Sequence, residues 1–136
     1  MLVESELARI IITEASQQQI VVLRELEGKR SFPIVIGIYE ALSIDRELKG
    51  LRPERPLTHD LLVSVISEMG GMLERIVVND LRDNTFFAYL EVKVDGRTVQ
   101  IDSRPSDALC VAVRTGARVF VEDTVFELGS PGPSPI

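Results

Sequence analysis

The stretch Asp102-Ser103-Arg104-Pro105-Ser106-Asp107-Ala108 puts two carboxylates, a guanidinium and two hydroxyls around one turn of chain. Residue periodicity predicts a strand running into it and a helix running out. Pro105 suits the first helical position, where a missing N–H costs nothing. Asp107 suits the first turn, whose free N–H groups attract negative charge. Two readings fit these residues. They start a helix and do nothing more, or they form a cradle for an anion or a metal-bound phosphate, since a helix N-terminus flanked by an arginine is suited to one. A second polar cluster, Thr58-His59-Asp60, carries the only histidine of the chain.

Several chemistries find no support. There is no paired histidine, Cys-x-x-Cys or His-Glu-x-x-His pattern for zinc, no Gly-x-Ser-x-Gly elbow, no Walker A loop and no Gly-x-Gly-x-x-Gly fingerprint. Cys110 is the single cysteine, so no internal disulfide forms, and it is expected as a small core residue on a helix. With 136 residues, 45% hydrophobic and 26% charged, the chain has the size and balance of one globular domain. No apolar run approaches the ~20 residues of a membrane helix. No basic n-region followed by an apolar h-region opens the chain, and a cytoplasmic location is expected. A net charge of −6 weighs against phosphate binding by the whole surface. Charge is uneven, however. Residues 46–60 hold Arg46, Lys49, Arg52 and Arg55 against Glu47, Glu54 and Asp60, a locally basic lip on an acidic body.

The elements that must position these groups follow from periodicity and turn chemistry. Strands are expected over 7–14, 20–26 and 32–36, with Gln17-Gln18 as a turn and Pro33 marking an edge strand or a strand start. A helix is expected over 38–48, with Ile38, Ala41, Leu42 and Leu48 near one face and Gly50 past its end. After a loop holding Pro53 and Pro56, Thr58 reads as an N-cap. The following helix carries a stripe of Leu61, Leu62, Val65, Ile66 and Met69, and Gly70-Gly71 stops it. Strands over 73–81 and 86–94 flank a turn at Asp83-Asn84. Phe86, Ala88, Leu90, Val92 and Val94 alternate on one face, and Asp95-Gly96 is a hairpin turn. Val99 and Ile101 continue inward. Helix 105–115 ends at Gly116, a hairpin of 119–121 and 125–128 closes the domain, and 129–136 forms a disordered Pro/Gly/Ser tail.

The expectation is therefore an α+β fold over residues 1–128, a mostly antiparallel sheet with about three helices. An internal duplication of strand-strand-strand-helix is also suggested. Arg9-Ile10-Ile11-Ile12-Thr13-Glu14 parallels Arg75-Ile76-Val77-Val78-Asn79-Asp80, and Glu40-Ala41-Leu42 parallels Asp107-Ala108-Leu109 at nearly the same offset. Glu40 and Asp107 would then be equivalent helix-start positions.

Three stretches taken together resemble the bifunctional nuclease domain family, whose name refers to degradation of both RNA and DNA. They are Gly37-Ile38-Tyr39-Glu40-Ala41-Leu42, Arg55-Pro56-Leu57-Thr58-His59-Asp60-Leu61, and Asp102-Ser103-Arg104-Pro105-Ser106-Asp107-Ala108, with Thr85-Phe86-Phe87-Ala88 between them. The resemblance runs from about Val3 to Leu128. It implies an α+β domain, a homo-oligomer with a dimer favoured, and a low-specificity nuclease acting on RNA and DNA.

Phosphodiester hydrolysis needs an activated water, charge stabilisation at phosphorus and help for the leaving oxygen. Carboxylates holding Mg²⁺ or Mn²⁺ supply the first two. On this reading Asp102, Asp107 and Glu40 are the metal candidates, and Arg104 clamps phosphate with Ser106 and Arg55 beside it. His59 next to Asp60 acts as general acid, or as general base without a metal. No organic cofactor is expected. The competing reading is a non-catalytic homo-oligomeric module that binds an anion, a nucleotide or a protein through the same turn. A third is that the turn locks the fold or the dimer.

Overall fold

The computed structural model describes residues 1–13, 15 and 18–129. Glu14, Gln17 and residues 130–136, expected in the first strand, its turn and the tail, lie outside the described residues. The elements are β1 (Leu2–Ile11), β2 (Gln18–Glu25), β3 (Ser31–Gly37), α1 (Ile38–Leu48), α2 (Thr58–Glu68), β4 (Gly71–Arg82), β5 (Thr85–Val94), β6 (Arg97–Ser103), α3 (Pro105–Thr115), β7 (Arg118–Glu122) and α4 (Asp123–Gly129). The fold is a single α+β domain.

The strands form one sheet in the order β3-β2-β1-β7-β4-β5-β6. β4 and β7 pair in parallel, and every other neighbouring pair is antiparallel. The two strand-strand-strand-helix units thus lie on either side of β7, with Glu40 and Asp107 each the third residue of its helix. Asp83, Asn84 and Asp95 adopt positive φ, which the tight turns joining β4, β5 and β6 require.

The sheet curls strongly. Phe32 on β3 stacks on Phe86 of β5 with ring centroids 5.4 Å apart, although four strands separate theirs in the sheet. Right-handed strand twist accumulates over seven strands and closes the concave face around the core. Val21, Leu23, Ile34, Ile36, Ile76, Val78, Ala88, Leu90 and Val92 fill that face, joined by Ala41 and Ile44 of α1 and by Ala108, Leu109 and Ala112 of α3. Pro33 sits on the edge strand β3, where its missing donor breaks no ladder.

α3 is the spine of the helical layer. It packs against α1, α2, β4, β5 and β7. Gly116 ends it in the left-handed region at φ 78°, and Cys110 is buried within it. Burial pushes the Cys110 thiol up to about 12, so this cysteine is a packing residue and not a nucleophile. Its Sγ–H donates to the Glu40 carbonyl at 3.5 Å, tying α3 to α1.

Several expectations need correction. The first strand starts at Leu2 and ends at Ile11, and Gln18 belongs to β2 and not to a turn. The expected final hairpin is β7 followed by a fourth helix, α4. Val125 and Phe126 are adjacent and both fully buried, which a half-buried strand with side chains on alternate faces does not allow. Arg30 latches α4 down: its Nη2 lies 2.7 Å from Asp123 Oδ1, its Nε donates to Glu25, and its guanidinium stands 4.9 Å above the Phe126 ring. In α1, Ala41 and Ile44 face the core while Leu42 and Leu48 are exposed. Thr58 is the first residue of α2 and Leu57 is its N-cap, because the Asp60 carboxylate reaches back to the Leu57 N–H. No residue of α2 is fully buried, and Leu61, Val65 and Met69 are exposed. Ile101 is exposed as well, since β6 is the other edge of the sheet.

Candidate active site

Two helix starts and one strand end converge on a cleft of about 940 Å³. α1 contributes Tyr39, Glu40, Leu42, Ser43 and Arg46 to its wall. The N-terminus of α2 contributes Thr58 and His59, and the β6–α3 turn contributes Asp102, Ser103, Arg104 and Asp107. Leu57, Leu62, Ile66, Leu90 and Ile101 make the rest of the lining apolar.

Asp107 is the hub. His59 Nε2 lies 2.9 Å from its Oδ1, and Arg104 Nε donates to its Oδ2 at 2.9 Å. The Asp107 side chain is 30% exposed and that of His59 is 17% exposed, so both are partly withdrawn from water. Burial pulls the Asp107 carboxyl upward, but the hydrogen bonds from Arg104 and His59 outweigh it and hold the group below its usual range. Asp107 is therefore ionised and only accepts. With an ionised carboxylate as acceptor, Nε2 of His59 is the donor in this pair, and Nδ1 makes no hydrogen bond among the described residues.

Arg104 is the N-cap of α3, and its bond to Asp107 joins the N-cap side chain to the third helical residue. Its side chain is 66% exposed, and Nη2 lies 3.9 Å from Glu40 Oε2. The guanidinium is thus anchored at one edge and leaves other N–H groups for a ligand. Glu40 folds back over Gly37. A Cβ at residue 37 would stand 2.4 Å from Glu40 Oε1, so a side chain there would displace the Glu40 carboxylate from this position.

Of the residues singled out in the sequence, the cleft gathers Asp102, Asp107, His59, Arg104 and Glu40. Three others lie elsewhere. Asp60 turns away from the cleft: Oδ1 accepts from Arg114 Nε and Oδ2 from the Leu57 N–H, each at 2.9 Å. Ser106 is buried and lines a separate groove with Pro33, Ile36 and Gly37. Arg55 is exposed on the proline loop and lines no cavity described here. Tyr39 and Arg46 also line the cleft; the sequence signals for them are the adjacency of Tyr39 to Glu40 and the place of Arg46 in the basic lip.

Asp60 has its own function in this geometry. The Leu57 N–H, together with Arg114, holds its carboxyl below the usual range against the upward pull of burial. Asp107 and Arg114 are seven residues apart on α3, two turns on one stripe. They hold consecutive residues of α2, His59 and Asp60, so α2 is fixed to α3 at two points. A depressed carboxyl stabilises above its unfolded pKa, and that contribution fades as pH falls through the lower folded value. Asp60→Asn is expected to cost about 0.5–1 kcal/mol at neutral pH. Thermal melts should show the gap from the wild type narrowing below pH 3.8, the ordinary value for the group.

The three carboxylates expected to hold a metal are not grouped as ligands. Both Asp107 oxygens are engaged, Glu40 faces a guanidinium, and Asp102 is exposed and makes no ion pair among the described residues. Among the described residues no three His, Cys, Asp or Glu side chains cluster as a coordination set. A cation would also stand beside the positive Arg104.

A family model described as the bifunctional nuclease domain matches residues 21–130, which include every residue of the site. Two relatives are the uncharacterized proteins Rv1829 and MT1877 of Mycobacterium tuberculosis strains H37Rv and CDC 1551. Each is 37% identical over 122 residues, covering 90% of this chain and 73% of its own.

Proposed function

This chain belongs to the bifunctional nuclease domain family, and from that premise we propose that the cleft binds nucleic acid and cleaves its phosphodiester bonds. The observation that carries the proposal is the Arg104–Asp107–His59 chain of hydrogen bonds on the cleft wall. An imidazole oriented by a carboxylate is equipped to move a proton. A guanidinium beside it is equipped to meet the charge on a phosphoryl oxygen.

In this mechanism Arg104 engages a non-bridging phosphate oxygen. His59 takes the proton of the attacking oxygen at Nδ1. Asp107 keeps the imidazole in the correct tautomer and stabilises the imidazolium that forms. Arg46 adds positive potential to the cleft wall, and the exposed Arg55 extends it along the loop. Tyr39, 81% exposed at the rim, offers a face on which a base can stack. The exposed apolar stripe of Leu61, Val65 and Met69 on α2 supports a homodimer as the acting form. No helix among the described residues is long and apolar enough to cross a membrane.

The test is degradation of single-stranded RNA and double-stranded DNA by purified protein beside Asp107→Asn, with folding checked by circular dichroism. The variant should fold and lose about 10²-fold in turnover, less than the ~10⁴-fold of a fully buried carboxylate–imidazole pair. Equal turnover in both proteins would remove Asp107 from the site. A second reading has one observation in its favour: Asp107 already satisfies both Arg104 and His59, as in a rigid binding surface. No turnover with measurable nucleotide binding would favour that non-catalytic module.

A further inference from the structure

Resting on the phosphodiesterase reading above, we infer that the groove between the edge strand β3 and the start of α3 is a second phosphate subsite. It holds a neighbouring phosphate of the strand whose scissile phosphate lies in the cleft. The groove has a volume of about 490 Å³, enough for one nucleotide unit. Arg104 is the one ionised side chain among its described lining residues, on a chain of net charge −6. Two observations point to an anion. The first is the α3 N-terminus. The Ala108 N–H donates to the Arg104 carbonyl, so the N–H groups of Ser106 and Asp107 have no acceptor among the described residues, and Pro105 has no N–H. The second is the Ser106 side chain. Residue 106 is 6% exposed, yet its hydroxyl makes no hydrogen bond among the described residues. No fully enclosed side-chain oxygen or nitrogen among them lacks a partner, so this hydroxyl opens on the groove that Ser106 lines. A phosphate oxygen seated there accepts from the hydroxyl and from a helix-start N–H together.

Arg104 ties the groove to the cleft, because it lines both. A phosphate in each is therefore separated by a single side chain, close enough to belong to one strand. The carboxylates that face Arg104 are Asp107 and Glu40, and both line the cleft and not the groove. Gly37, the N-cap of α1, lines the groove as well, so the positive ends of two helix dipoles meet there. Glu40 and Asp107, in the first turns of the two helices, offset part of that potential. The groove thus suits one phosphate and not a run of them. Pro33, Val35 and Phe86 give the attached sugar or base an apolar wall. Contacts of this kind read the phosphate and not the sugar, so RNA and DNA use the subsite alike.

The experiment follows the backbone amide signals of Ser106 and Asp107 by NMR in the isotope-labelled full chain, carrying His59→Ala so that the strand stays intact. The probes are inorganic phosphate, a thymidine dinucleotide with a single phosphate and a thymidine tetranucleotide. The tetranucleotide should shift both amides and bind about 10-fold more tightly than either other probe. Ser106→Ala should weaken its binding about 10-fold and leave the dinucleotide unaffected. Val35→Glu should weaken it about 5-fold by placing a like charge on the groove wall, at a residue 56% exposed where the fold tolerates the change. Unmoved amides, or equal weakening of both oligonucleotides, overturns the subsite. Equal affinity for inorganic phosphate and the tetranucleotide assigns the groove to a free anion and overturns its place on the strand. Turnover of both oligonucleotides by the wild type separates this inference from the reading it rests on. Shifted amides without turnover remove the phosphodiesterase reading and leave a strand-binding groove; turnover with unmoved amides does the reverse.

Discussion

His59→Ala is expected to lower kcat/KM on single-stranded nucleic acid by about 10²- to 10⁴-fold, the contribution of a positioned acid–base group. The chain has no second histidine to take over. Asp60, its neighbour in sequence, is committed to Arg114 and the Leu57 N–H, and Cys110 is held protonated by burial. The fold should survive. His59 sits on the first turn of a helix with no fully buried residue, and its side chain contributes one hydrogen bond across to α3. Losing that bond costs about 1 kcal/mol, a Tm shift of about 5 °C or less. A large rate loss with a small Tm loss is the combination that a purely structural histidine would not give. Steady-state kinetics and a thermal melt on the same preparation read both.

Phe32→Ala should have the largest effect on stability, about 3–5 kcal/mol by urea unfolding. The ring is fully buried on β3 and joins parts of the fold that the ladder alone does not connect. It stacks on Phe86 of β5, and Phe126 of α4 meets it edge-on at 5.1 Å. Truncation leaves a cavity where the curled sheet closes on itself and removes the contact that seats α4. The surroundings cannot collapse easily, since Gly129 already packs so close that an added Cβ would lie 3.3 Å from the ring. A loss under about 1 kcal/mol would mean that the sheet closes through other contacts.

The legible parts of the fold are those where local chemistry and tertiary packing agree. α3 runs from Pro105 to Thr115 as its proline start and Gly116 stop require, and α1 has the expected ends for similar reasons. Alternation of Phe86, Ala88, Leu90 and Val92 marks β5 because only one of its faces meets the core. α4 was hidden because Val125-Phe126 is too short an apolar run to separate helix from strand, and its stabilising contacts come from Arg30, far away in sequence. In α2 the apolar stripe reads as core, yet Leu61, Val65 and Met69 stay exposed because α3 already covers the sheet.

The site shows the same division. Asp102, Arg104 and Asp107 stand out within one short turn, and His59 by its uniqueness. Their meeting depends on α2 docking against α3, which no local pattern encodes. Asp60 points away from the cleft because adjacent helix residues point about 100° apart. His59 faces Asp107 and the cleft, whereas Asp60 turns to Arg114. Tyr39 lies within the Gly37–Leu42 stretch and Arg46 in the basic lip, but neither stands out by its own chemistry, and both join the cleft because α1 forms its wall.

The measurement that tests the central claim most directly is kcat/KM on single-stranded RNA for the wild type, His59→Ala, Asp107→Asn and the double variant. If Asp107 acts through His59, the double variant should lose no more than His59→Ala alone, within about 3-fold. Losses that multiply independently would show that the two residues do not work as one unit, and would contradict the account.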